Sequence, residues 1–300
     1  MQKVFDNGNL EEINAFIEAL STDATIVLKG NFYGTLKIHH KNNLSLHILG
    51  EQASIFGTVK QTIACQKYKQ NIYLIQLYPH LELERIWIQD KAFHMACYPN
   101  IEENSSALLY CTMDEALDKI KQNKKIDRAF IRGLHEKQWG GNSYKVKVEA
   151  SGKIRLDWMG NNNRGSKVSK THVLVENLFS ELDAPNEFYY ENETGNLFFY
   201  SEEEYTSVTL EYSVCQTVME IFNSSAQVSV QNIGFYRTDN SLYKGKWERY
   251  LRSDWAFNPE ASVQIQNSQN VSIKDCIFAK LMHTPAHCKS FCPKFRNKQF

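Results

Sequence analysis

His283, His287, Cys288 and Cys292 are four potential metal ligands that fall within ten positions near the end of the chain. Structural zinc sites pair Cys-x2–4-Cys with a second, distant pair, and here all four donors crowd together. From Leu281 to Phe300 there is no Asp or Glu, four Lys/Arg appear, and strand patterning stops. A tail unrelated to the preceding fold, as a frameshift or truncation leaves, explains that change without a metal. Three carboxylates, Glu181, Asp183 and Glu187, stand in the turn-rich string Val175–Tyr190, where carboxylates are expected to cap turns and accept from backbone N–H groups. His135 and Trp139 could form a sugar platform, because an aromatic face stacks on the apolar face of a pyranose; the alternative is that Trp139 packs an inserted lobe against the rest of the chain. There is no Gly-rich phosphate loop and no Gly-x-Ser-x-Gly elbow. The seven scattered cysteines read as free thiols rather than a disulfide framework.

The elements that must position such groups are short and β-rich. The 300 residues carry 34 basic and 34 acidic side chains and are 42% apolar, so a sizeable core is available. The balanced charge removes the general attraction that nucleic-acid binding needs, and no run of eighteen apolar residues is present to span a membrane. The start, Met1-Gln2-Lys3-Val4-Phe5-Asp6, carries no export signal. The sequons at Asn104, Asn192, Asn223 and Asn270 are what an Asn- and Ser-rich chain makes by chance. Leu10, Ile13, Phe16, Ile17 and Leu20 recur at helical spacing, and Asn9 with Glu12 predicts a capping box. Short strands are predicted at Thr25–Lys29, Thr35–Ile38, Leu44–Leu49 and Ser54–Val59, each broken by Gly or Asn/Lys pairs.

Val228–Phe235 and Val271–Phe278 follow one template: alternating apolar and polar residues, then Asn or Asp, then Phe. Asn and Asp tolerate a left-handed backbone, so the template reads as one face and one corner of a parallel solenoid, with a β-sandwich as the alternative. Val263–Asn267 is a further strand just ahead of the second copy. The stretch from about Ile101 to Tyr212 breaks the rhythm. It holds a predicted helix at Thr112–Lys124, strands at Tyr144–Val148 and Lys153–Trp158, and an aromatic hairpin, Phe188–Tyr190 with Leu197–Tyr200, turning at Gly195.

The string Val175-Glu-Asn-Leu-Phe-Ser-Glu-Leu-Asp-Ala-Pro-Asn-Glu-Phe-Tyr-Tyr190, followed by Thr194-Gly-Asn-Leu-Phe-Phe-Tyr200, resembles a segment of β-helix proteins related to family 141 glycoside hydrolases. Asn186 stands where that family has Gly, and Phe188 where it has Trp. Met95–Asn100 resembles its "MARYPN", with Cys97 in place of the usual Arg. His135 to Trp139-Gly140 resembles the "H…WG" of its insertion domain, and Asp254-Trp255 ahead of Ala261–Val263 resembles the approach to a core rung. The resemblance covers roughly residues 25 to 280.

It implies a mainly β fold, a right-handed parallel β-helix of the pectate-lyase-like type with an N-terminal capping helix and an inserted β-rich domain. The expected divisions are 1–124 for the cap and first β-helix part, 125–205 for the insertion, 206–282 for the resumed β-helix and 283–300 for an irregular tail. The implied activity is hydrolysis of glycosidic bonds in a polysaccharide or oligosaccharide, with no cofactor and no nucleic-acid or membrane partner. Hydrolysis requires two carboxyl groups flanking the scissile bond. Asp254 and Asp275 are the candidate catalytic carboxylates; His135, Trp139 and Trp255 are the candidate substrate-binding residues. The family's catalytic carboxylates are expected on rungs after Asp275, where this chain's pattern ends, so a chain lacking those rungs is expected to be silent. A non-catalytic glycan-binding or structural solenoid is the second reading, and a Ca²⁺-dependent polysaccharide lyase the third. The family is typically exported.

Overall fold

The computed structural model describes residues 1–101, 109–123, 126, 128–138, 140–159, 167–239 and 261–281, and the backbone alone of 248–249, 256–257, 286–288 and 294–296. The chain is mainly β. It divides into two compact units, one of residues 1–59, 213–246 and 258–300, the other of residues 60–212 and 247–257.

The first unit is built from two parallel sheets. One holds Gln2–Asn9, Ala24–Tyr33, Ser45–Phe56, Gln227–Tyr236, Val271–Lys274 and Lys294–Arg296 in that order, with Ile277–Ala279 also pairing on Gln227–Tyr236. The other holds Leu36–His39, Met219–Phe222, Val263–Gln266 and Ala286–Cys288. From Ala24–Tyr33 onward the strands of this unit alternate between the two sheets, Ile277–Ala279 alone following its predecessor in the same sheet, and within each sheet spatial order is chain order. The template repeats pair as predicted: Val228 with Val271, Val230 with Ile273 and Phe235 with Phe278, all parallel. Val228, Val230, Phe235, Val271 and Ile273 are buried in one continuous core, and the rings of Phe235 and Phe278 stack at 5.1 Å. Strand periodicity of two sends every second side chain into that core.

Two predicted strand breaks are bends instead. Gly30 lies inside Ala24–Tyr33 and Gly50 inside Ser45–Phe56, where the ladder continues past a shift in register, of one residue between these two strands and of two between Ser45–Phe56 and Gln227–Tyr236. Corner positions take a left-handed backbone: Asn7, Gly30, Gln52, Asn232 and Asp275 all have positive φ. The helix Glu11–Ala19 buries Ile13 and Ile17 against the same core. Its expected capping box is absent. Asn9 is held in the parallel ladder opposite Tyr33, so the helix starts one residue later, with Leu10 as N-cap and Asn9 Oδ1 accepting from the Glu11 N–H at 3.1 Å.

The second unit contains mixed and antiparallel sheets. The predicted hairpin is Glu187–Glu191 paired with Asn196–Tyr200, turning at Gly195 with φ +77°. Asn186, where the resembling family has Gly, takes φ +64°, the conformation Asn tolerates best after Gly. The helix Met113–Gln122 does carry a full capping box, Thr112 with Glu115, and packs Ala116 and Ile120 on the sheet that includes Phe130–His135 and Val168–Glu176.

Candidate functional site

Met219–Phe222 is the pivot of the second parallel sheet. Leu36, Ile38, Met219, Ile221, Val263 and Ile265 fill the core, so the alternate residues lie on the opposite face. Register then makes two rows there: Lys37–Glu220–Gln264 and His39–Phe222–Gln266. His39 stacks flat on Phe222, with ring centroids 5.0 Å apart and planes 4° from parallel, and its Nε2 lies 3.0 Å from Glu220 Oε2. Gln266 Nε2 donates to Gln264 Oε1, and Gln264 Nε2 donates to Thr217 Oγ1.

Beside this face the segment Val214–Thr217 and the chain leaving Gln227–Tyr236 wall a cleft of about 570 Å³. Gly57 allows the wall to close: its carbonyl accepts from both the Val214 and Cys215 N–H groups at 2.9 Å, and a Cβ there would meet Cys215 O at 2.9 Å. The Asp239 N–H donates to Cys215 O at 2.8 Å. Asp239 is 2% exposed and lines the cleft with Glu220, Thr35, Gln264 and Gln266. Burial, together with the negative charges of Asp239 and Glu220, pushes the Cys215 thiol up, although its hydrogen bond with Thr35 and the charge of Lys37 oppose this. One thiol thus feels both carboxylates. The lining offers two acidic residues, amide and hydroxyl groups, and an aromatic ring.

Of the candidate residues named from the sequence, Asp275 and His135 are described with their side chains, and neither lines this cleft. Asp275 is an exposed left-handed corner residue between Val271–Lys274 and Ile277–Ala279, on the other sheet, and does not line the cleft. His135 ends the strand Phe130–His135 in the second unit and is 3% exposed. Trp139, Asp254, Trp255, His283 and Cys292 lie outside the described residues. His287 and Cys288 lie in the strand Ala286–Cys288, in register with Gln264 and Ile265; their side chains lie outside the described residues. Glu220 and Asp239 were missed. The available signal was an acid at the outward position of the short alternating run Met219-Glu220-Ile221-Phe222.

Of the motif carboxylates, Glu187 is the most deeply engaged. Its Oε1 accepts from the Cys97 N–H, and its Oε2 accepts from the N–H groups of Asp183 and Ala184. Glu181 pairs with Lys119 at 2.7 Å, and Asp183 accepts from Asn100. Glu187 thus accepts from backbone N–H groups as expected, whereas Glu181 and Asp183 take side-chain partners. His94, Cys97 and Glu187 place three potential metal-ligand atoms within 4.8 Å of one another. The donors are poorly disposed for a cation: both Glu187 oxygens take backbone N–H groups, and the Cys97 thiol is driven far upward by burial and by the charges of Glu187 and Glu176. A thiol held that firmly protonated is a weak ligand. The five described cysteines are free.

No family model matches this chain, and no curated protein matches its sequence. A solved structure described as a glycoside hydrolase superposes on 88% of this chain and 56% of its own with a TM-score of 0.64 and 14% identity. At that identity the likeness is one of fold. The chain spans little more than half the length of that structure.

Proposed function

We propose that this chain is a carbohydrate-active protein that hydrolyses glycosidic bonds, with Glu220 and Asp239 as its acid–base pair. The parallel unit is then a right-handed β-helix of the pectate-lyase-like kind, related to family 141 glycoside hydrolases and interrupted by a β-rich insertion. Alternation of the chain between two parallel sheets supports the first part, as does the fold shared with a glycoside hydrolase. The separate compact unit spanning residues 60–212 supports the second, with wider bounds than 125–205.

The observation that carries the activity is that two acidic residues, Glu220 and Asp239, line one cleft beside the outward face of a parallel sheet. One protonates the departing glycosidic oxygen; the other activates water or attacks the anomeric carbon, so that the C–O bond breaks and water is added across it. His39 orients Glu220 and stacks on Phe222, whose ring then offers a face to a sugar. The rigid, in-register strands beneath keep these groups fixed. This reading places the catalytic pair inside the chain rather than on rungs beyond it.

Release of reducing ends from a panel of neutral and acidic glycans tests the proposal. Wild type is expected to turn over at least one glycan, and Glu220→Gln and Asp239→Asn are each expected to lower kcat by on the order of 10²-fold or more. No turnover by wild type across the panel, or turnover unchanged in both variants, overturns it. Glycan binding without turnover would instead support a binding solenoid.

A further inference from the structure

A second cleft, of about 540 Å³, lies wholly within the unit of residues 60–212. Its floor is aromatic. Tyr189 and Phe198 face each other across the hairpin, Phe179 meets both rings edge-on at 5.3 and 5.0 Å, and Tyr68 meets Phe198 edge-on at 5.0 Å. Tyr189 and Phe198 are buried, but Tyr68 is 54% exposed on the short strand Gln66–Lys69, every residue of which is exposed. A ring kept at the mouth of a cleft is not needed by the core beneath it.

The rims are polar and held in place. On one side Asn123 Nδ2 donates to Ser180 Oγ at 2.8 Å and to Lys119 O at 2.9 Å, while the Ser180 N–H donates back to Asn123 Oδ1. On the other side Asn196 Nδ2 donates to Glu191 Oε2 at 3.1 Å, and Thr194 Oγ1 donates to the same oxygen. Amides and a carboxylate fixed in this way are already oriented for a ligand and lose little freedom on binding. The volume lies within the usual range for ligand sites. Among the described residues the lining includes one carboxylate, Glu191, and no Lys or Arg, which disfavours uronates, phosphates and sulfates and leaves neutral polyols favoured.

We infer that this cleft is a glycan-binding site for a neutral oligosaccharide, in which Tyr68 and Phe179 take the apolar C–H face of a pyranose and Asn123, Glu191 and Asn196 take its hydroxyls. Its chemistry stands apart from the Glu220–Asp239 cleft, so it holds whether or not that pair is catalytic. In an enzyme that cleaves polymers, such a site would keep the chain on its substrate between cuts by raising the effective concentration of linkages.

The test is titration calorimetry with cellohexaose, xylohexaose and mannohexaose, with hexagalacturonate as the charged control, in the Glu220→Gln background. At least one neutral hexasaccharide is expected to bind there. Tyr68→Ala and Asn196→Ala are each expected to weaken that binding tenfold or more while leaving the circular dichroism spectrum unchanged. Hydrolysis of a short soluble substrate, if wild type shows it, is expected to survive Tyr68→Ala. Absence of binding by every neutral hexasaccharide, binding indifferent to both variants, or tighter binding of hexagalacturonate would each overturn the assignment. Absence of hydrolysis in wild type, with neutral-hexasaccharide binding sensitive to Tyr68→Ala, would count against the acid–base pair alone and support this assignment.

Discussion

Replacing Glu187 by Gln should flatten the pH dependence of stability, and the size of the effect follows from where that carboxyl sits. Its side chain is fully buried. Burial pushes it up from 4.5 to about 7, although three backbone N–H donors, from Cys97, Ala184 and Asp183, favour the charged form and oppose the rise. The folded chain therefore binds this proton more tightly than the unfolded chain does. The contribution is complete below about pH 4.5 and is lost as pH rises through 7. At about 1.4 kcal/mol for each tenfold change in proton affinity, the loss between pH 5 and 8 is on the order of 2–3 kcal/mol. Urea unfolding of wild type and Glu187→Gln at pH 5, 6, 7 and 8 reads it directly. His94, pushed down mainly by burial, contributes on the acid side in both proteins and cancels in the difference. Wild type is expected to lose about 2–3 kcal/mol relative to the variant across that range. Parallel stability curves for the two proteins would refute the reasoning.

Gly50→Ala is expected to destabilise the parallel unit by about 3 kcal/mol or more; its Cβ would fall 2.1 Å from the carbonyl oxygen of Asn232, and backbone cannot swing aside as a long side chain can. A thermal transition unchanged from wild type would show that the corner yields. Thr112→Ala removes the capping box of Met113–Gln122 and is expected to cost about 1 kcal/mol, measured as a lowered urea midpoint; Thr112→Ser should recover most of it.

The parallel unit was legible wherever alternation was clean. Val228–Phe235 and Val271–Phe278 share a template because they stack on each other, and a buried inner row constrains residue type at every second position. Asn232 and Asp275 were legible as corners for a separate reason: few side chains tolerate their φ of 57° and 52°. The start of the first helix was not. A capping box is a local pattern, whereas Asn9 is fixed by a parallel partner, Tyr33, twenty-four residues away. The extension of Thr25–Lys29 into Ala24–Tyr33, and the joining of Leu44–Leu49 to the start of Ser54–Val59 in Ser45–Phe56, failed to show for a related cause. Glycine reads as a break in an isolated strand, but in a stacked corner it bends the ladder without ending it.

The candidate site was hidden by the same geometry that makes it rigid. A catalytic motif is visible in sequence when one loop carries several of its groups; here Glu220 and Asp239 come from opposite ends of a strand-turn-strand passage, and the cleft gains Thr35 and Gln264 from other layers. What unites them is register, Glu220 beside Lys37 and Gln264, which connects positions separated by 183 and 44 residues. Asp275 sits in the recognisable template, but what that template specifies there is a corner conformation, with φ of 52°, and it does not line the cleft. In a fold made of repeated layers, the repeat announces the scaffold. The chemistry is then to be sought on the outward positions, which the repeat leaves free to vary.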